Sequence, residues 1–61
     1  MDIIQTAALP SGLILEMEKR PNGYGVALFD PVAQDWRKVW PSESRIAACA
    51  RFHVLRLTRT S

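Results

Sequence analysis

The chain has one cysteine, one histidine and no acidic residue after Glu43. Each shortage excludes something. A single thiol, Cys49, cannot close an internal disulfide, which fits a reducing compartment. A lone Cys and a lone His cannot complete a structural zinc site. Cys49 and His53 would be neighbours one helical turn apart, but a thiolate–imidazole pair needs a third, orienting group. A small buried thiol is the preferred reading. Long hydrophobic runs are also missing. "IIQTAALPSGLIL" is broken by Gln5, Thr6, Pro10 and Gly12, has no charged leader before it, and is too short to cross a bilayer. A soluble, cytoplasmic protein with no membrane contact is expected.

Length limits what can be built. A chain of 61 residues buries only about 60% of its unfolded surface. Its apolar fraction of 48% is enough for a core, and self-association is a common support at this size. Starting at Met1, the chain is expected to be one small domain and a whole short gene product. It lacks the volume for a closed ligand pocket of at least about 300 Å³. No enzymatic activity, cofactor, metal or small-molecule substrate is therefore expected. Glu16 and Glu18 fall on one strand face. Such carboxylates can do acid–base work, but a solvated face is the expectation. "GYG" at Gly23–Gly25 follows a turn rather than opening a helix, so it is no phosphate loop.

What is present is patterned. "LILEMEK" alternates, with Leu13, Leu15 and Met17 on one face and Ile14, Glu16 and Glu18 on the other, a half-buried strand. "RPNGY" supplies proline and Asn-Gly turn chemistry. "GYGVALF" is a second strand, Asp30-Pro31 breaks it, and "WRKVW" is a third, ended by Pro41. Ser42 is the expected N-cap, with Glu43 in the first turn. Glu43 to Ser61 contains no Gly or Pro. At about 100° per residue, Ile46, Ala47, Ala50, Val54 and Leu57 form one apolar stripe. A helix ending near His53 with a last strand "VLRLT" competes with one long helix, and the continuous stripe favours the helix.

The expected fold is α+β: a three-stranded antiparallel meander with one C-terminal helix on one face, βββα. Residues 1–11 are an N-terminal segment of uncertain structure, 12–40 the sheet and 42–57 the helix. The expected core is Leu13, Leu15, Met17, Trp36 or Trp40, Ile46, Val54 and Leu57. The second strand is apolar on both faces, so either the N-terminal segment or another chain should cover the side away from the helix. A two-residue turn sets Leu15 and Met17 with Val26 and Leu28. A three-residue turn sets them with Ala27 and Phe29.

Charge gives the clearest hint about partners. Residues 1–43 carry a net −2 and residues 44–61 a net +4, which together make the formal +2. On the expected helix, Arg45, Arg56 and Arg59 gather with Phe52 opposite the apolar stripe. Arginine and aromatics are enriched in interface centres. A partner-binding surface is therefore expected at Arg45, Phe52, Arg56 and Arg59, joined by Phe29 and Trp36 on the sheet. The partner is a protein or a second copy, in an accessory or inhibitor role like that of many small phage products. The alternative is DNA or RNA binding through Arg20, Arg37, Lys38, Arg45, Arg56 and Arg59, since arginine pairs well with phosphate. Trp36 and Trp40 are expected on one face with Lys38 between them. They could stack bases, although architecture is the preferred role.

The segment "GYGVALFDPVAQDWRKVWPSESRIAACARF", about half the chain, resembles the β-β-α part of the arm-type DNA-binding domains of phage integrases. These share an aromatic strand, an Asp-Pro or Asp-Gly turn, a basic strand and an alanine-rich helix. The resemblance implies a sheet that enters the major groove. Arg37 and Val39, or Trp36 and Lys38, would then contact DNA, with Arg20 at the turn. The sequence departs from that pattern at Glu16 and Glu18, where like charge opposes phosphate.

Overall fold

The structure, a computed structural model, describes residues 2–59. Four strands, β1 (Asp2–Ala8), β2 (Ile14–Arg20), β3 (Gly23–Asp30) and β4 (Asp35–Val39), precede one helix, α1 (Arg45–Thr58). The strands form one antiparallel meander in the order β1-β2-β3-β4. The α+β class holds, and the strand count rises from three to four. The N-terminal segment is the added strand. It pairs along β2 from Asp2↔Lys19 to Ala8↔Ile14, so it widens the sheet and covers neither face. No helix among the described residues is long and apolar enough to cross a membrane.

The turns follow local chemistry. Arg20 pairs with Gly23, so the β2–β3 turn is Pro21-Asn22, and Met17↔Val26 and Leu15↔Leu28 become direct partners. This is the two-residue alternative, displaced by one position. Gly23 has φ +143, and a Cβ there would lie 2.8 Å from the Glu43 carbonyl oxygen. Only glycine suits both the backbone and the crowding. In the β3–β4 turn the Asp30 carboxylate accepts the N–H groups of Val32 at 3.0 Å and Ala33 at 3.1 Å. That is the Asx-type bonding an Asp-Pro turn favours.

The helix starts later than Ser42. Glu43 exchanges backbone hydrogen bonds with Tyr24, at 2.9 and 2.7 Å, and is therefore held extended. Ser44 is the N-cap, its Oγ accepting the Ala47 N–H at 3.2 Å. Glu43 thus lies outside the first turn, where its carboxylate accepts from Arg51 Nε at 2.8 Å. The helix continues unbroken through the "VLRLT" segment to Thr58.

The core lies between α1 and one sheet face: Leu15, Met17, Val26 and Leu28 from the strands, Ala48 and Phe52 from the helix, and Leu9 from the first turn. Leu13, Tyr24, Trp40 and Leu55 pack around it. The expected helix phase is reversed. Ile46, Val54 and Leu57 are 83%, 55% and 64% exposed, while Phe52 is only 3% exposed. Ala48, Phe52 and Leu55 also recur at helical spacing, so α1 carries two apolar stripes. The one with the aromatic ring is buried. Phenylalanine removes more apolar area from water than valine or leucine, and the fully buried Ala48 lets the helix approach the sheet.

Candidate functional site

Three surface features are built from residues that carry chemistry. The first is the outer face of α1. Ile46, Val54 and Leu57 face solvent with Ala50 between them. Arg45 and Arg56 lie together to one side of this stripe, both exposed and with no carboxylate partner among the described residues. Arg56 Nη2 lies 3.4 Å from His53 Nδ1, its only side-chain hydrogen-bond neighbour among the described residues. Phe52 is not part of this surface, because it anchors the core. The expected Arg/Phe face is thus corrected to an Arg/aliphatic one. Cys49 is exposed rather than buried, and its thiol points to Met17 Sδ at 3.7 Å, away from any pairing with His53.

The second feature is the sheet face away from the helix, which no element covers among the described residues. A bulge creates its aromatic corner. Leu28 pairs with Lys38 but Phe29 pairs with Trp36, leaving Arg37 as the extra residue. An inserted residue reverses the alternation beyond it. Trp36 and Trp40 therefore occupy opposite faces, not the shared face expected. Trp36 meets Phe29 edge-on, with ring centroids 4.9 Å apart. Trp40 packs at the core, with Lys38 Nζ at 5.6 Å and the Arg51 guanidinium at 5.9 Å from its ring centroid.

The middle of this open face is charged, with its carboxylates packed down on the sheet. Glu16 is 8% and Glu18 2% exposed, which corrects the expected solvated pair. Arg20 folds over Gly25, where any side chain would meet its guanidinium. From there Arg20 donates through Nε to Glu18 Oε1 at 2.8 Å and through Nη1 to the Trp40 carbonyl at 2.6 Å. The Oε2 atoms of Glu16 and Glu18 are buried without a hydrogen-bond partner among the described residues. Burial, reinforced by the Glu18 charge, raises the Glu16 pKa above its ordinary 4.5. A small cavity of about 170 Å³ opens here between Glu18, Arg20, Ala27, Trp36 and Val39.

The third feature is an open groove of about 600 Å³ on the helix side, at the end of the sheet where the Ser11–Leu13 turn, the β3–β4 hairpin and Arg59 converge. Arg37, Lys38 and Arg59 line it together with Asp30. Arg37 is oriented by Asp30, which accepts Nε at 3.1 Å and Nη2 at 2.5 Å on Oδ2. That pairing lowers the Asp30 pKa and raises that of Arg37.

Of the expected nucleic-acid residues, Arg37, Lys38 and Arg59 meet in this groove. Arg20 is on the open face bound to Glu18, and Arg45 and Arg56 are on the outer side of the helix. Of the expected partner-binding residues, Phe29 and Trp36 stand together on the open face. Sequence reasoning missed the burial of Glu16 and Glu18. The signal was the pair of small residues, Gly25 and Ala27, opposite them in β3, which leave room for long side chains to lie flat. No group of three or more His, Cys, Asp or Glu residues that could hold a metal occurs among the described residues.

Comparison with protein-family models, curated proteins and solved structures returned no match. The functional reading rests on the geometry.

Proposed function

We propose that this chain is a small, non-enzymatic binding module that docks on a protein partner through the outer face of α1. One observation carries the reading. The helix buries one apolar stripe and presents a second, Ile46–Val54–Leu57, to solvent. Exposed apolar residues are ordinary when scattered, but here they line up on one rigid helix. No acid occurs from Ser44 onward, so Arg45 and Arg56 border one side of the stripe without compensation. The matching partner surface is an apolar ridge bordered by carboxylates, the arrangement of an acidic amphipathic helix. The open sheet face with Phe29 and Trp36 is a second contact area for the same role. This role suits an accessory or inhibitor protein.

The test places a photo-crosslinking residue at Ile46, at Leu57 and, as a control far from the helix, at Val32, in cells that make the protein. A common crosslinked protein at the two helix positions, absent at Val32, is expected. It should be lost when Ile46→Ser and Leu57→Ser are combined, or when Arg45 and Arg56 are both changed to Glu. A partner that survives both sets of changes overturns the helix-face reading. Binding to DNA or RNA whose affinity falls with salt at a log–log slope of about −0.9 per neutralised phosphate, through the same arginines, replaces it with nucleic-acid binding.

A further inference from the structure

We propose that the groove between the Ser11–Leu13 turn, the β3–β4 hairpin and the C-terminal end of α1 binds a small organic oxyanion, a phosphate or carboxylate carried on an apolar stem. The inference is independent of the helix face and departs from the sequence expectation of no small-molecule ligand. The groove is open rather than closed, and its volume of about 600 Å³ falls in the range of small-molecule sites, roughly 300–1,000 Å³.

Its charge is one-sided. Arg37, Lys38 and Arg59 face one carboxylate, Asp30, which gives a formal +2. The negative pole of the α1 C-terminus opposes this with only about half a charge, so the cations prevail. Two of them, Arg37 and Lys38, are also held in place. Asp30 fixes the Nε and Nη2 edge of Arg37, leaving Nη1 for a ligand. Lys38 rests over the Trp40 ring and has no carboxylate partner among the described residues. Arg59 lines the groove as well, and its Nε has no acceptor among the described residues. Side chains already positioned lose little freedom on binding.

The remaining wall is aliphatic. Leu13, Leu28 and Val32 line it, and Val32 is the most exposed large hydrophobic residue among those described. A bare inorganic ion would leave this wall wet. An anion with a hydrocarbon body would satisfy both halves, with its head on the three cations and its stem on Leu13, Leu28 and Val32.

The test titrates the ¹⁵N-labelled full chain with hexyl phosphate, hexanoate, inorganic phosphate and hexanol, following amide shifts at residues 11–13, 37–38 and 59. Saturable shifts confined to this groove are expected with hexyl phosphate or hexanoate, and the tighter of the two identifies the head group. Inorganic phosphate and hexanol should each bind at least about tenfold more weakly. Lys38→Gln and Arg59→Gln should each weaken binding by roughly tenfold, while Arg45→Gln leaves it unchanged. The proposal is overturned if no probe saturates at millimolar concentration, if hexanol matches the anions, or if both groove variants bind like the parent chain. A single-stranded oligonucleotide that shifts the α1 amides at Arg45 and Arg56 as strongly as the groove would also overturn it, by making these cations part of one nucleic-acid surface.

Discussion

Ile46 and Phe52 point about 120° apart around α1, the one open to solvent and the other sealed against β2 and β3. Their separation decides which half of the helix holds the fold and which half is free to meet another molecule. Phe52→Ala should therefore destabilise the domain by about 3–5 kcal/mol, as expected for truncating a buried aromatic. Ile46→Ser should stay within about 0.5 kcal/mol. Urea unfolding followed by far-UV circular dichroism measures both. Equal losses would mean that the helix packs in the other phase.

Arg20 and Glu18 are a buried pair, with the Arg20 side chain 13% and the Glu18 side chain 3% exposed. Removing one partner strands a charge. Arg20→Met is expected to cost about 3–5 kcal/mol, and Arg20→Met combined with Glu18→Leu clearly less than the single change. A double-mutant cycle by chemical denaturation reads the difference. Additive losses would show that Arg20 acts through its bonds to Trp40 and Ser42 instead.

Acidity should act on the fold in opposing directions. The Glu16 pKa is raised above 4.5, chiefly by burial. Its contribution to stability is full below 4.5 and is lost as the pH rises through the folded value. The pKa of Asp30 is lowered from 3.8 by Arg37 and by the turn N–H groups, and that of Glu43 from 4.5 by Arg51. Their contributions are full above those values and are lost as the pH falls through the folded ones. These groups should thus lower stability on both sides: as the pH rises above 4.5 through the raised Glu16 value, and as it falls below the ordinary values through those of Asp30 and Glu43. Glu16→Gln should remove the decline on the neutral side and leave the acid limb in place. Melting temperatures measured from pH 3 to pH 8 test this, and a neutral-side slope unchanged by Glu16→Gln would refute it.

Gly23→Ala combines a positive φ with a Cβ set 2.8 Å from the Glu43 carbonyl oxygen. Gly12→Ala has a positive φ but nothing within 4 Å. Both should destabilise, Gly12→Ala by about 1 kcal/mol and Gly23→Ala by more than that. Thermal melts that rank them the other way would mean that Glu43 yields easily.

The β2–β3 hairpin was legible because period-two alternation and turn residues are local properties, and local rules hold where the chain pairs with its nearest neighbour. The helix was legible as an element and misleading in phase. Two apolar stripes have the same period, and a wheel cannot say which one the sheet accepts. The tryptophans were misplaced because a bulge is a property of the pair β3–β4, not of β4 alone. Asp2–Ala8 lacked alternation because an edge strand with both faces largely exposed has little need of it. The groove at Arg37, Lys38 and Arg59 joins residues from a hairpin and from the far end of a helix, a proximity that only the packed chain displays.

The Tyr24–Glu43 bridge has a consequence for folding order. Every strand pairs with its sequence neighbour, so the sheet can form through short loop closures, which are fast. The bridge spans a longer stretch of chain and sets the point from which α1 grows. Docking of the helix is therefore expected to follow sheet formation, and a transient sheet without its helix would expose Leu15, Met17, Val26 and Leu28 together. Weakening the Tyr24–Glu43 bridge is therefore expected to lengthen that exposure and to favour aggregation during refolding.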